Sequence, residues 1–395
     1  MDERARGFAP PRGFRDILPT EARELRAIEG ALMAAFAAYG YVPLEPPMVE
    51  YAAGPLALPE SRLLQFLDRD GRLVALRPDV TTAVARVVAQ RYRDASGALR
   101  LAYFTPVFRE EPAMLGAERE YDQAGVELVG PSGALADAEV LALLADALAR
   151  SGLKYLRVDV GHVGVVRRLF ADLPSDASEG ILAELRRGDV VGAFRRAEAA
   201  GMAADRIARA RRALAARARL IEDIDVEGVG DLREVIHLAR ELVPDSEAIR
   251  FVPNLALLPE LSYYTGIVFE ALHPKVGFPI ASGGRYDLLL AAFGVPRPAT
   301  GFAINIPRLH LALFGEGWRP PADAALVSLE PSDDPRATLR VAATLRAGGV
   351  AVAIGALAEP AGQPILMARV VDASRVRLGD GRVVTAEELA RELSS

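Results

Sequence analysis

The chain has 395 residues, of which 51% are hydrophobic and 25% are charged, so it is long enough for two or three domains with their own cores. It contains no cysteine, which excludes disulfide bonds, thiolate chemistry and cysteine-based zinc sites. The net charge of -6 gives the chain as a whole no attraction for a polyanion.

Neither the start of the chain nor its apolar stretches carry a membrane signal. The first residues lack the apolar core of a signal peptide, and no run reaches the roughly 18 apolar residues of a membrane span. We therefore expect a cytoplasmic protein. The four histidines stand singly, without the spacing of a metal site, and we expect neither a metal nor a cofactor.

The first part of the chain predicts a helix followed by hairpins. A helix is expected between Pro19 and Gly40, because apolar residues recur on one stripe. The dipeptide Asp70-Gly71 lies between two short apolar runs, which is a strong hairpin signal. Strands at 101–108 and 125–129 follow. This pattern favours an antiparallel sheet over a parallel one of the Rossmann type.

The middle of the chain changes to helices. Residues 172–245 carry almost no strand signal, which predicts a helical insertion that separates 1–171 from 246–317. The arginine-rich run from Arg206 to Arg219 favours a solvated helix face over a nucleic-acid patch, because acidic residues lie nearby.

Strands are predicted to return in the last part of the first domain, at 249–252, 267–272 and 278–281, followed by a glycine-rich segment and an amphipathic helix at 303–313. A linker begins at Trp318. Residues 318–395 then predict a small α/β domain of alternating strands and helices, with a hairpin about Asp380-Gly381.

Four polar segments carry residues suited to ligand binding: 76–81, 108–127, 263–266 and 283–287. In the second of these, Gln123 and Glu127 share one face of a predicted strand, so both side chains can reach one ligand. Taken alone, the same alternation favours an amphipathic strand whose polar face is in water.

Together with the opening segment 12–19, these four segments resemble the histidyl-tRNA synthetases over roughly residues 12 to 315. The resemblance implies an α+β fold of the class II aminoacyl-tRNA synthetase type. Its core would be a six-stranded antiparallel sheet with flanking helices, joined by the helical insertion and the small C-terminal α/β domain. It also implies a homodimer formed through the region 23–50.

The resemblance further implies a pocket for free L-histidine. Asp79 and Thr81 would accept hydrogen bonds from the ligand ammonium group, and Gln123 would reach toward its carboxylate. Glu127 would accept a hydrogen bond from one imidazole nitrogen while Tyr264 contacts the other. The corresponding residues of this sequence are Asp79, Thr81, Arg109, Gln123, Glu127, Tyr263 and Tyr264. The structural alternative is that Glu127 pairs with a nearby arginine such as Arg119.

The activation half of the synthetase site is incomplete in this sequence. Pro259 stands where the synthetases have an arginine that stabilises developing charge. The loop that would carry a phosphate-binding arginine has Ala117 instead. Glu111 and Arg308 match residues of the nucleotide site and would form a vestige of it.

These departures make the non-aminoacylating relatives of the synthetases, the regulatory subunits of ATP phosphoribosyltransferase, the better match. Such a subunit has no catalytic residues of its own. It is expected to activate a short-form ATP phosphoribosyltransferase catalytic subunit, within a hetero-oligomer, and to mediate feedback inhibition by histidine in the first step of histidine biosynthesis. The region after the linker has no lysine, so tRNA is not an expected partner. The alternative is an active histidyl-tRNA synthetase, and position 259 discriminates between the two.

Overall fold

The structure is a computed structural model. It describes residues 9–52, 60–110, 118–215, 226, 228–243, 248–259, 261, 263–321, 326–356 and 365–394. The chain divides into two compact units, one formed by Met1–Asp16 and Ile28–Trp318 and the other by Ile17–Ala27 and Arg319–Ser395. The domain boundaries expected from the sequence, at 171, 245 and 317, remain a proposal.

The described helices are α1 Pro19–Ala38, α2 Thr81–Arg91, α3 Ala134–Arg150, α4 Val163–Leu169, α5 Ser175–Arg186, α6 Val190–Ala199, α7 Ala204–Ala215, α8 Val229–Leu242, α9 Leu289–Ala292, α10 Ile306–Gly315, α11 Pro335–Ala347 and α12 Ala386–Ser394. A 3₁₀ turn covers Glu60–Arg62. None of the described helices is long and apolar enough to cross a lipid bilayer.

The described strands are β1 Val42–Pro43, β2 Val49–Tyr51, β3 Gln65–Leu67, β4 Leu73–Leu76, β5 Leu99–Phe108, β6 Glu120–Val129, β7 Leu156–His162, β8 Ile249–Pro253, β9 Ile267–Leu272, β10 Ala281–Arg285, β11 Ala299–Asn305, β12 Leu326–Glu330, β13 Ala351–Ile354, β14 Ile365–Val370, β15 Arg375–Leu378 and β16 Val383–Thr385.

The first unit is built on an eight-stranded sheet of order β1-β5-β6-β11-β10-β9-β7-β8. The strands from β5 to β7 in this order are antiparallel to their neighbours, as expected. At the two edges, β1 and β8 pair in parallel with β5 and β7. The sheet therefore keeps the expected antiparallel core and adds one parallel strand at each side.

Helix α1 begins at Pro19, and Gly40, with φ 78°, lies two residues beyond its end, as predicted. Its residues Ile28, Leu32 and Phe36 are buried, and the Phe36 ring meets that of Phe302 on β11 edge-on, at 5.8 Å between ring centroids. This apolar stripe is the reason that the segment forms a helix against the sheet.

A small second sheet of order β2-β4-β3 precedes the main one. Strands β3 and β4 form the predicted hairpin, with Gly71 at φ 76° in its turn. Strand β4 leads directly into Arg77, whose buried guanidinium donates to the carbonyl oxygens of Pro46 (2.5 Å) and Pro106 (2.9 Å). Arg77 thereby fixes the start of α2 against the large sheet.

Helices α5 to α8 lie within residues 172–245, the stretch that the sequence predicts as helical, and α4 precedes it. Helices α5, α6 and α7 pack in succession against one another. Helix α8 packs instead against α3 and against strands β7 and β8, so it belongs to the helix layer of the large sheet.

Two predicted elements are placed wrongly. The strand that we expected at 278–281 begins only at Ala281 and runs as β10 through the glycine-rich segment, and β11 takes the beginning of the predicted helix, which starts only at Ile306. The cause is close strand packing, because a Cβ atom at Gly283 would collide with the carbonyl oxygen of Gly301 and the ring of Phe269. These glycines permit close packing rather than a turn.

The second unit contains a five-stranded sheet of order β13-β12-β14-β15-β16. Helix α11 and the strands around it follow the prediction, including the hairpin of β15 and β16. Helix α12 was not predicted. The core of this unit includes Val327, Val341, Val376 and Leu389.

A candidate amino-acid site

A cavity of about 390 Å³ lies over strands β6, β9, β10 and β11 of the large sheet. This volume is in the range of sites for small molecules. Its lining includes three arginines, Arg62, Arg109 and Arg308, and one acidic residue, Glu270. A small ligand with both charges is the kind of molecule that fits these walls.

Gln123 on β6 reaches this cavity from the floor of the sheet, where it lies opposite Asn305 on β11. Its side chain is buried, and its Oε1 atom accepts no hydrogen bond in the structure. An unsatisfied buried acceptor destabilises a protein by about 1 to 3 kcal/mol. A ligand that donates a hydrogen bond to Gln123 would remove this penalty.

Glu127 lies on the same face of β6, deeper than Gln123, and is only 1% exposed. The Thr81 hydroxyl donates to its Oε1 atom at 2.7 Å, and the Tyr286 hydroxyl donates to its Oε2 atom. Burial raises the pKa of Glu127 to about 8, and the nearby Asp79 carboxylate adds to the rise. Glu127 is therefore an acidic group that holds its proton near neutral pH.

Glu127 makes no ion pair with an arginine among the described residues. The candidate partner, Arg119, pairs with Glu110 instead. The structural alternative raised by the sequence, an ion pair of Glu127 with Arg119, is wrong. Glu127 is held by hydroxyl groups and not by a cation, so its carboxyl group can still accept a hydrogen bond from the basic side chain of a ligand.

Tyr263, Tyr264 and Tyr286 form a ring cluster beside Glu127. The centroid distances are 4.8 Å between Tyr263 and Tyr264 and 5.5 Å between Tyr263 and Tyr286. Burial raises the pKa of Tyr264 above its ordinary value, so its hydroxyl stays protonated. Tyr264 also lines the cavity, so it connects the cavity to the deeper cluster around Glu127.

Two of the sequence motifs meet behind this cluster. The backbone N–H of Thr265 donates to the carbonyl oxygen of Arg285 at 2.8 Å, and that of Asp287 donates to the Thr265 hydroxyl at 3.1 Å. The Arg285 guanidinium lies 2.9 Å from a carboxylate oxygen of Asp137 on α3, and the pair is buried. The segments 263–266 and 283–287 are therefore parts of one rigid frame.

Asp79 caps the first turn of α2. Its two carboxylate oxygens accept hydrogen bonds from the backbone N–H (2.8 Å) and the hydroxyl (3.1 Å) of Thr82. Burial raises the pKa of Asp79, and the Arg109 guanidinium lowers it in part. Asp79 and Thr81 thus lie on the inner side of the site, with Glu127, and are not part of the cavity lining.

Two of the three arginines of the cavity are held in place by backbone carbonyl oxygens. Arg109 donates through Nε to Pro78 at 2.8 Å, and Arg308 donates through Nη1 to Pro279 at 2.9 Å. Asn305, on the other side, caps helix α10 by accepting from the backbone N–H of Arg308 at 3.0 Å. These contacts keep positive charge on the walls of the cavity.

Pro259 is buried and lines the same cavity, so the side chain at this position of the wall is uncharged. Arg308, one of the two residues of the expected nucleotide vestige, lies in the cavity lining. The other, Glu111, lies outside the described residues, as does Ala117.

Comparison with known proteins gives a consistent result. Residues 13–309 match the family model for histidyl-tRNA synthetase. The ATP phosphoribosyltransferase regulatory subunit of Moorella thermoacetica is 38% identical, over 87% of this chain and 91% of the relative. That of Symbiobacterium thermophilum is also 38% identical, over 93% of this chain and 95% of the relative.

A solved structure from Bacillus halodurans, described as an ATP phosphoribosyltransferase regulatory subunit/histidyl-tRNA synthetase, is 30% identical. It superposes with a TM-score of 0.80 over 92% of this chain and 98% of that one. The chain belongs to the family of ATP phosphoribosyltransferase regulatory subunits. This membership confirms the class II synthetase-like fold and the interpretation of the chain as a regulatory subunit rather than an aminoacylating enzyme.

In this regulatory subunit the residues predicted for the site fall into two adjacent groups. Arg109, Gln123, Tyr264 and Arg308 line the cavity. The others lie beside the cavity in the cluster around Glu127: Asp79, Thr81 and Glu127 are buried, and Tyr263 is half-buried.

The sequence did not point to Tyr286 or Tyr103, whose hydroxyls face Glu127, although Tyr286 lies in a motif that was singled out. Nor did it point to Arg62 or Glu270 on the cavity wall. These residues reach the site through strand pairing and through the 3₁₀ turn, and no local sequence pattern predicts such neighbours.

Proposed function

We propose that this chain is the non-catalytic subunit that binds and activates a short-form ATP phosphoribosyltransferase catalytic subunit in the cytoplasm. It would carry the feedback inhibition of that enzyme by L-histidine, in the first step of histidine biosynthesis. The observation that supports this most strongly is Pro259, which lies in the wall of a cavity that also contains Gln123 and Tyr264. Such a cavity can hold an amino acid and lacks the cation that would help to activate it.

The groups of the site suit histidine one by one. Glu127 would exchange a hydroxyl partner for an imidazole N–H, and Tyr264 would contact the second ring nitrogen. The ammonium group would lie near Asp79 and Thr81, and the carboxylate near Gln123 and Arg109. A buried site that must satisfy both ring nitrogens rejects aliphatic amino acids, because these would leave its polar groups unpaired.

The same proposal includes a remnant of a nucleotide site and a homodimer of the chain. The positive wall at Arg308, together with Glu111, would be the remnant of a nucleotide site. A homodimer of the chain would form through the region 23–50. The apolar side chains that this region exposes to solvent support the proposal: Val42 is 56% exposed and Met48 is 48% exposed.

Two assays test the proposed function. The chain should raise the activity of a short-form catalytic subunit, and histidine should then inhibit the complex. In histidine-dependent pyrophosphate exchange the isolated chain should stay at background, with an active histidyl-tRNA synthetase as the positive control. Exchange well above background would favour the alternative, an active synthetase.

A further inference from the structure

The cavity over the large sheet contains an arginine that the proposed function does not use. Arg62, the last residue of the 3₁₀ turn, lines this cavity together with Gln123 and Pro259. Arg62 is half-buried, so its positive charge is partly shielded from water. An ion pair at such a position is stronger than one in bulk water, because the effective dielectric constant is lower.

The backbone around Arg62 fixes the place from which this side chain enters the cavity. The carbonyl oxygen of Arg62 accepts a hydrogen bond at 3.0 Å from the backbone N–H of Glu110, the residue that follows Arg109. On the other side, Leu261, which also lines the cavity, packs against the core cluster that contains Leu63. Arg62 is therefore held beside the segment of Arg109 and beside that of Leu261.

The other two arginines of the cavity lie near carboxylates of the protein itself. Burial raises the pKa of Asp79, and the Arg109 guanidinium lowers it in part. Burial also raises the pKa of Glu270, and the Arg308 guanidinium lowers it in part. Arg109 and Arg308 thus offset negative charge that already belongs to the site. A carboxylate brought in by a ligand needs a further positive partner, because a charge leaves water only at a large cost unless it is paired.

Arginine is the side chain best suited to be this partner. Its planar guanidinium donates two parallel hydrogen bonds to the two oxygens of a carboxylate. In the proposed position of histidine, the ring and the ammonium group lie in the cluster around Glu127, and the carboxylate lies near Gln123. Gln123 lines the same cavity as Arg62.

We infer that Arg62 binds the α-carboxylate of histidine in a bidentate ion pair. Arg62 would thereby make the site selective for the complete amino acid over basic analogues that lack the carboxylate. This inference rests on the proposed function, in which the cavity binds L-histidine.

The test compares two ligands that differ at the carboxylate, which is replaced by a hydroxymethyl group in L-histidinol. Arg62→Gln should weaken the binding of L-histidine to the full-length chain about tenfold or more, as the loss of a charge-assisted hydrogen bond does. It should not weaken the binding of L-histidinol. Calorimetric titration measures the first ligand, and competition against L-histidine measures the second.

Two further variants separate charge and folding from recognition. Arg69→Gln removes the same charge at an exposed position in the turn between β3 and β4, and it should bind both ligands as the wild type does. Arg62→Lys keeps the charge without the planar fork, so its loss of histidine affinity should be smaller than that of Arg62→Gln. Thermal unfolding curves should be the same for all these chains. If Arg62→Gln does not fold, Arg62→Lys carries the comparison of the two ligands.

Unchanged histidine affinity in Arg62→Gln overturns the inference, and so does equal weakening of both ligands, which would give Arg62 a structural role. In both cases the proposed function stands, because the wild-type chain still binds histidine. Weaker binding of ATP with unchanged binding of histidine would assign Arg62 to the nucleotide remnant and also overturn the inference. A wild-type chain that does not bind histidine contradicts the inference and the proposed function together.

Discussion

Glu127 is the residue on which recognition of a basic side chain would depend. The Glu127→Gln variant removes the charge and keeps the shape, so we expect histidine binding to weaken by about 1.5 to 3 kcal/mol, the range for hydrogen bonds to charged groups. Calorimetric titration with L-histidine measures this. The control is Glu120→Gln, an exposed position on the same strand, which should bind as the wild type does. Equal affinities in all three chains would place the ligand elsewhere.

The pH dependence of binding follows from the pKa of Glu127. Burial raises the pKa of Glu127 to about 8, and the pKa of a free imidazole is about 6.5. Between these two pH values Glu127 is protonated and the imidazole is neutral, so together they hold one proton, which is the number that they share in the complex. Below this window a proton must leave on binding, and above it a proton must be taken up. The affinity for histidine should therefore be greatest between about pH 6.5 and 8.

Titrations at pH 5.5, 7.2 and 8.8 test this window. Outside it, the affinity should fall by at most about tenfold per pH unit. In Glu127→Gln the decrease at high pH should be much smaller, because the group that must take up the proton is gone. A decrease at high pH of the same size in both chains would assign it to the ligand ammonium group and not to Glu127.

Gly301 tests how closely the strands must approach at the site. It lies opposite Glu127 in the sheet, and a Cβ atom there would collide with the Glu127 carboxylate and the Val126 carbonyl oxygen. Gly301→Ala should therefore lower stability by about 1 to 3 kcal/mol, as other overpacked sites do, and weaken histidine binding. Gly230→Ala, in helix α8 with open space around it, should be neutral or slightly stabilising. Urea unfolding of both variants measures the difference.

At the scale of secondary-structure elements, the buried ion pair between β10 and α3 connects the frame of the site to the helix layer. Arg285→Met would leave Asp137 buried with its charge unpaired, which commonly destabilises a protein by about 3 to 5 kcal/mol. The control is Arg150→Met, which removes the exposed partner of Asp146 on the same helix and should change stability by less than about 1 kcal/mol. If urea unfolding gives equal losses for both, this pair does not stabilise the frame.

Elements with a strong local signal could be predicted from the sequence. The apolar stripe of α1 and the turns at Gly71 and Gly381 are such cases, because the residues within each short segment determine its conformation. Strands β10 and β11 could not be placed correctly, since the glycines of β10 act through contacts with Phe269 and with β11. The reason lies in tertiary packing, which overrides local propensity.

The site shows the same division between local and long-range causes. Gln123 and Glu127 could be assigned to one strand face from their spacing, and they do share it. The donors that hold Glu127 come from α2 and from the residue after β10, which are distant in sequence. Only the full strand order brings these donors to Glu127.

At the scale of the whole molecule, a ligand site without activating groups is useful only if binding changes the balance between states of an assembly. A ligand shifts such an equilibrium by its differential affinity for the two states, and the coupling is reciprocal. If histidine lowers the affinity of the complex for the substrates of the catalytic subunit, these substrates must therefore weaken histidine binding by the same factor. A typical coupling of about 1 to 3 kcal/mol corresponds to roughly 5- to 150-fold.

Reconstituted complexes test this coupling. The catalytic subunit is combined with the wild-type chain or with Glu127→Ala, and the activity at each histidine concentration is divided by that of the same complex without histidine. Glu127→Ala should move the midpoint of inhibition to at least about tenfold higher histidine, because its pocket has lost the charged acceptor. In the wild-type complex, saturating substrate should weaken histidine binding by the factor by which histidine weakens substrate binding. Equal midpoints in the two complexes would mean that histidine acts at another site.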